Sequence, residues 1–127
     1  MLLRYSKLIS FLLILFFSST LYAEDILIIH QGYGNTHSKH KNRLENAGHT
    51  VTMQNTSSSY SYTAANYDQV YDIRYSYTSY STADIDRFKT VLSNGGTVYL
   101  VGENGNFDSR NDAIVSFLQE VTGDNNI

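Results

Sequence analysis

The chain has no cysteine. That excludes disulfides, a thiolate nucleophile, thiolate metal sites and a lipid-modified cysteine near the start. It has no basic run either: beyond residue 23 there are seven Lys and Arg against twelve Asp and Glu, a net charge of −5. A weakly acidic chain of this kind is a poor partner for nucleic acid or for an anionic membrane surface. It contains no Gly-x-Ser-x-Gly elbow and no Gly-Lys-Ser phosphate loop, so two common frameworks for hydrolysis and nucleotide binding are missing.

The apolar run near the start covers only Leu8 to Phe17, nine apolar residues of ten. That falls well short of the ~20 residues that span a bilayer. It follows Arg4 and Lys7 and precedes Ser18-Ser19-Thr20-Leu21-Tyr22-Ala23. A charged start, a short apolar stretch and a small residue after a polar one form a secretory signal, with cleavage expected after Ala23. Residues 1–23 are thus read as a signal peptide and residues 24–127 as a single periplasmic or secreted domain. The only membrane contact expected is through the signal during export. About a hundred residues suffice for one modest core, held without disulfides by packing alone.

Asp25-Ile26-Leu27-Ile28-Ile29-His30 is apolar on both faces and reads as a central parallel strand. A turn at residues 31–35 leads into a helix over 37–47 stopped by Gly48. Residues 49–54 alternate and are β-branched, a second strand. A Ser/Thr/Tyr loop precedes a third strand over 67–74. Ser81 or Thr82 caps a helix whose Ile85, Phe88, Val91 and Leu92 share one face. Residues 97–101 form a fourth strand. Ser109 is expected to cap a last helix with Asp112 as its capping-box partner. Its buried stripe is Ile114, Phe117, Leu118 and Val121, and Gly123 stops it. The pattern β-α-β-β-α-β-α predicts an α/β three-layer sandwich with a mostly parallel sheet in the order 2-1-3-4. Full-sized domains of this kind carry a fifth strand; here the fourth is expected to be an open edge.

In open α/β sheets, ligands bind beyond the carboxyl ends of the strands, where the strand order reverses. That places His30, Gln31, Gly32, Gly34, Asn35 and His37 on one side of a crevice and Arg74 on the other. Glu103 and Asn104 lie on the same rim. Gly32 and Gly34 lack the third glycine of a dinucleotide fingerprint, which would fall at His37. His37, Lys39, His40, Lys41 and Arg43 crowd the first turns of the helix with no acid before Glu45, against the helix dipole. Two explanations stand: a small anionic ligand held by loop amides and these side chains, or a solvated face. His30, His37 and His40 offer three imidazoles, yet no carboxylate accompanies them at ligand spacing. No metal and no cofactor is expected.

Seven of the eleven tyrosines lie between Tyr60 and Tyr80. They suit stacking on a glycan or a protein partner, or packing on strand three and decorating long loops. The functional expectation is a non-catalytic module binding a small ligand or a surface partner. The alternative is a fragment or subunit of an enzyme working at the rim of His30, Arg74 and Glu103.

Through Tyr67-Asp68-Gln69-Val70-Tyr71-Asp72-Ile73-Arg74, Gly102-Glu103-Asn104 and Phe107-x-x-Arg110-Asn111, the chain resembles a group of exported bacterial proteins of unknown function. Their fold is similar to class I glutamine amidotransferase-like domains. The likeness covers residues 26–123. It implies that fold but not that activity, because amidotransferases use a Cys nucleophile with a later His and Glu. It also implies a shortened chain, since members of that group continue beyond this point.

Overall fold

A computed structural model describes residues 22–32, 35–56, 61–74, 79–102 and 105–127. Residues 1–21, nearly all of the expected signal peptide of residues 1–23, therefore lie outside the described residues. Among the described residues, four strands and three helices follow in the order β1 (Asp25–His30), α1 (Asn35–Asn46), β2 (Thr50–Asn55), β3 (Gln69–Asp72), α2 (Thr82–Ser93), β4 (Thr97–Leu100) and α3 (Asp108–Thr122). A 3₁₀ turn at Ala64–Asn66 leads into β3. The sheet is parallel throughout, in the order β2-β1-β3-β4, the α/β architecture and strand order expected from the sequence.

β1 is central because it is apolar on both faces: Ile26, Leu27, Ile28 and Ile29 are fully buried. Successive side chains of a strand point to opposite faces, so this run feeds two cores. Leu27 and Ile29 join Val70, Phe88, Val91 and Phe117 on the face covered by α2 and α3. Ile26 and Ile28 join Val51, with Leu44, Met53, Tyr71 and Ile73 around them, on the face of α1. The second face is thinly covered, because Leu44 is the one large apolar side chain that α1 contributes.

α2 begins as the sequence predicts. Ser81 Oγ accepts from the Asp84 amide at 3.2 Å, and Asp84 Oδ2 accepts from the Ser81 amide at 3.3 Å. Both satisfy amide groups that a helix start leaves orphaned. The turn from α2 into β4 depends on Gly96, where an added Cβ would lie 2.6 Å from Asp68 O and 2.8 Å from Val91 Cγ1. Helix and strand approach so closely there that no other residue fits without displacing backbone.

Two sequence expectations for α3 need correction. The helix does not start at a Ser109 cap with Asp112. It starts at Asp108, with Phe107 in the cap position and no side-chain cap; the amides of Arg110 and Asn111 bond to Phe107 O instead. Arg110, in the first turn of this helix, has its side chain buried against Asp72 of β3. A buried ionic anchor outweighs the roughly 1 kcal/mol of a serine cap. Val121, expected in the buried stripe, is 40% exposed, because its side of the helix overhangs the free edge of β4. Among the described residues, β4 pairs with β3 alone. No helix among the described residues is long and apolar enough to cross a membrane.

Candidate functional site

The order β2-β1-β3-β4 puts the reversal between β1 and β3, so the crevice opens beyond His30 and Asp72. His30 ends β1, and its ring centroid lies 5.0 Å from that of His37 on α1. Burial, and then the neighbouring His37, push the His30 pKa below its ordinary value. His30 Nδ1 and Gln31 Oε1 are buried with no hydrogen-bond partner among the described residues. Gly32 is exposed in the connecting loop and Asn35 opens α1. Gly34, Glu103 and Asn104 lie outside the described residues, as do Tyr60, Tyr75 and Tyr77.

Arg74 does not join this group. Val70, Asp72 and Arg74 alternate onto the face of α2 and α3, opposite to Tyr71 and Ile73. Arg74 Nε bonds both oxygens of Asp72, at 2.9 and 3.0 Å, its Nη2 pairs with Oδ2, and the Asp84 carboxylate is 3.5 Å away. The fully buried Asp72 also receives Arg110 Nη2 at 3.3 Å. Arg110, 2% exposed, lies over the Tyr80 ring at 4.1 Å and donates to the Tyr80 hydroxyl at 2.8 Å. Burial pushes the Tyr80 phenol well above its ordinary value, and the neighbouring Asp72 adds to this. Two carboxylates, two guanidinium groups and a phenol thus tie β3, α2 and α3 together. Sequence reasoning missed Asp72 and Arg110 as partners. The available signal was phase: Asp72 alternates with buried Val70, and Arg110 lies seven residues before Phe117 on the same stripe of α3.

The α1 face holds a pocket of about 530 Å³. One wall is cationic or titratable, built from His37, Lys39, His40 and Arg43 on α1. The floor is the part of the sheet that α1 leaves uncovered: Tyr71, Ile73, Tyr99, Leu100 and Val101. Tyr71 and Tyr99 stack at 4.2 Å between centroids and 13° between planes, and His40 meets Tyr71 edge-on at 5.1 Å. Burial raises the Tyr71 pKa to about 12, helped by its hydrogen bond with Tyr99; its hydroxyl donates to Gln69 Oε1 at 2.9 Å. Glu45 pairs with Lys41, whereas Lys39 and Arg43 form no ion pair among the described residues. Thus the basic turn singled out in the sequence does face a cavity. The tyrosines that floor it come from adjacent strands, not from the loops.

Among the described residues, no three His, Cys, Asp or Glu side chains are placed to hold a metal ion; His40 turns to Tyr71 while His30 and His37 meet each other. Tyr62, Tyr67 and Tyr80 pack into the main core or against it. Comparison with models of known families, with curated proteins and with solved structures gives no match. Function is therefore argued from the site alone.

Proposed function

We propose that the chain is an exported, non-catalytic binding module whose ligand is a small anion carrying a flat apolar group. One observation carries this reading: a pocket of ligand size with a stacked-tyrosine floor, a wall of His37, Lys39, His40 and Arg43, and no acidic lining residue among the described residues. Ligand pockets are mostly apolar with a few polar groups that fix orientation. A carboxylate or phosphate would lie against α1 while its apolar part lies on Tyr71 and Tyr99. Gln31 and Gly32, directly after β1, border the same end of the sheet.

The test is a thermal-shift screen of aryl carboxylates and aryl phosphates, with inorganic phosphate and uncharged aryl compounds as controls. A binder present at a hundredfold excess over Kd stabilises the fold by about 2.7 kcal/mol. The shift should disappear in Arg43→Gln and in Tyr71→Leu, and should shrink with added salt, because exposed charges are screened over ~8–10 Å. A panel in which no anion moves the melting temperature, or variants that respond like the parent, would refute the reading.

A further inference from the structure

Among the described residues, β4 is a sheet edge without the usual protection. Natural edges carry Lys, Pro, bulges or a covering segment; Thr97-Val98-Tyr99-Leu100-Val101 has no charge and no proline. The Thr97 amide bonds Asp68 O, just before β3. Backbone groups alternate sides along a strand, so the amides and carbonyls of Val98 and Leu100 point outward. Tyr99 is 46% exposed and is the last ring of the stack that starts at Tyr71. On the other face, an apolar groove of about 400 Å³ runs between β4 and α3, lined by Val98 and Leu100 below and by Ile114, Leu118 and Val121 above. Val115, also exposed, continues that side of the helix.

We propose that a second copy of this chain occupies this edge, with the two β4 strands antiparallel about a two-fold axis at Tyr99. The strand is self-complementary about that residue. Val98 meets the partner's Leu100 where the outward backbone groups exchange hydrogen bonds, and Thr97 meets the partner's Val101. Tyr99 meets the partner's Tyr99 as a non-hydrogen-bonded pair, the kind whose side chains lie closer. Strands sit ~4.8 Å apart, close to the ring spacing already present between Tyr71 and Tyr99, so the stack simply continues. The groove under α3 receives the apolar side chains that the added strand presents to that face.

The area is adequate. β4 together with the following Val101 is about 17 Å long and α3 about 22 Å, and the sheet with its helix layer and tyrosine layer is about 25 Å high. That is on the order of 500 Å² per copy before corrugation, which brings the total to the ~1,000 Å² that a specific interface needs. No charge on β4 opposes the contact.

The test is sedimentation velocity without ligand on the protein expressed from its full reading frame, in the processed form the cells yield. The parent should sediment as a dimer that dissociates on dilution. Tyr99→Lys and Tyr99→Glu should each be monomeric, because each places like charges face to face on the axis. Their equimolar mixture should restore the dimer. Circular dichroism should show both variants folded. A monomeric parent at all concentrations, a dimer that survives both substitutions, or a mixture that stays monomeric would each overturn the proposal. Because no ligand is present, failure here leaves the pocket reading untouched.

Discussion

Asp72→Asn is nearly isosteric and removes one charge from the buried cluster. In the parent, Asp72 receives both Arg74 and Arg110. Once it is neutral, Arg74 retains Asp84 at 3.5 Å. Arg110 keeps only the hydroxyl and ring of Tyr80, with no anion, at 2% exposure. Breaking a buried pair so that one charge is stranded typically costs about 3–5 kcal/mol. At roughly 4–8 °C per kcal/mol for a domain of this size, the melting temperature should fall by on the order of 20 °C. Arg110→Met is the informative contrast. It leaves Asp72 still paired with Arg74, so it should cost clearly less, about 1–2 kcal/mol. Asp72→Leu combined with Arg110→Met should return to within about 1 kcal/mol of the parent plus the loss at Arg74, because buried pairs replaced by apolar groups are often neutral. Urea unfolding of the four proteins measures this. An Asp72→Asn cost below that of Arg110→Met would refute the assignment of Asp72 as the anion on which Arg110 depends.

Two further outcomes follow from residues outside that cluster. The His30 pKa is lowered in the folded protein, so the unfolded chain binds the proton first as pH falls below about 6.5. Stability should therefore drop between pH 7 and 5, and the urea midpoint of His30→Gln should drop less; equal slopes would show that His30 does not contribute. Export with cleavage after Ala23 should give a mature N-terminus at Glu24 by mass spectrometry, whereas intact protein starting at Met1 in the membrane fraction would contradict it.

The sheet was readable in advance because strand character and burial coincide. Ile26–Ile29 announces a two-sided central strand, and the single-faced stripes at Phe88 and Phe117 announce helices covering one side. The misreadings arise where a tertiary interaction overrides local preference. Ser109 and Asp112 have the spacing of a cap, but the helix start is fixed by Arg110 reaching Asp72, 38 residues away in sequence. Arg74 reads as a rim cation because it follows the strand end, although the phase it shares with Val70 and Asp72 turns it to the buried face. The basic turn of α1 was legible as an unexplained charge pattern. Its companions Tyr71 and Tyr99 were not, because they meet only when β3 and β4 pair.

An all-parallel sheet has no hairpins, and this has a kinetic consequence for β1. Its neighbours arrive from far along the chain, as shown by the contact of Asp25 with Asp68, 43 residues away. Non-local pairings of this kind form slowly. Until they do, Ile26-Leu27-Ile28-Ile29 is an unpaired, uncharged, β-prone segment, the composition that favours self-association between chains. The only charges or polar rings that interrupt it are Asp25 and His30 at its two ends. These flanking residues act as gatekeepers. The same strand that anchors both cores of the folded protein is a segment open to misassembly while the chain is still searching for its partners.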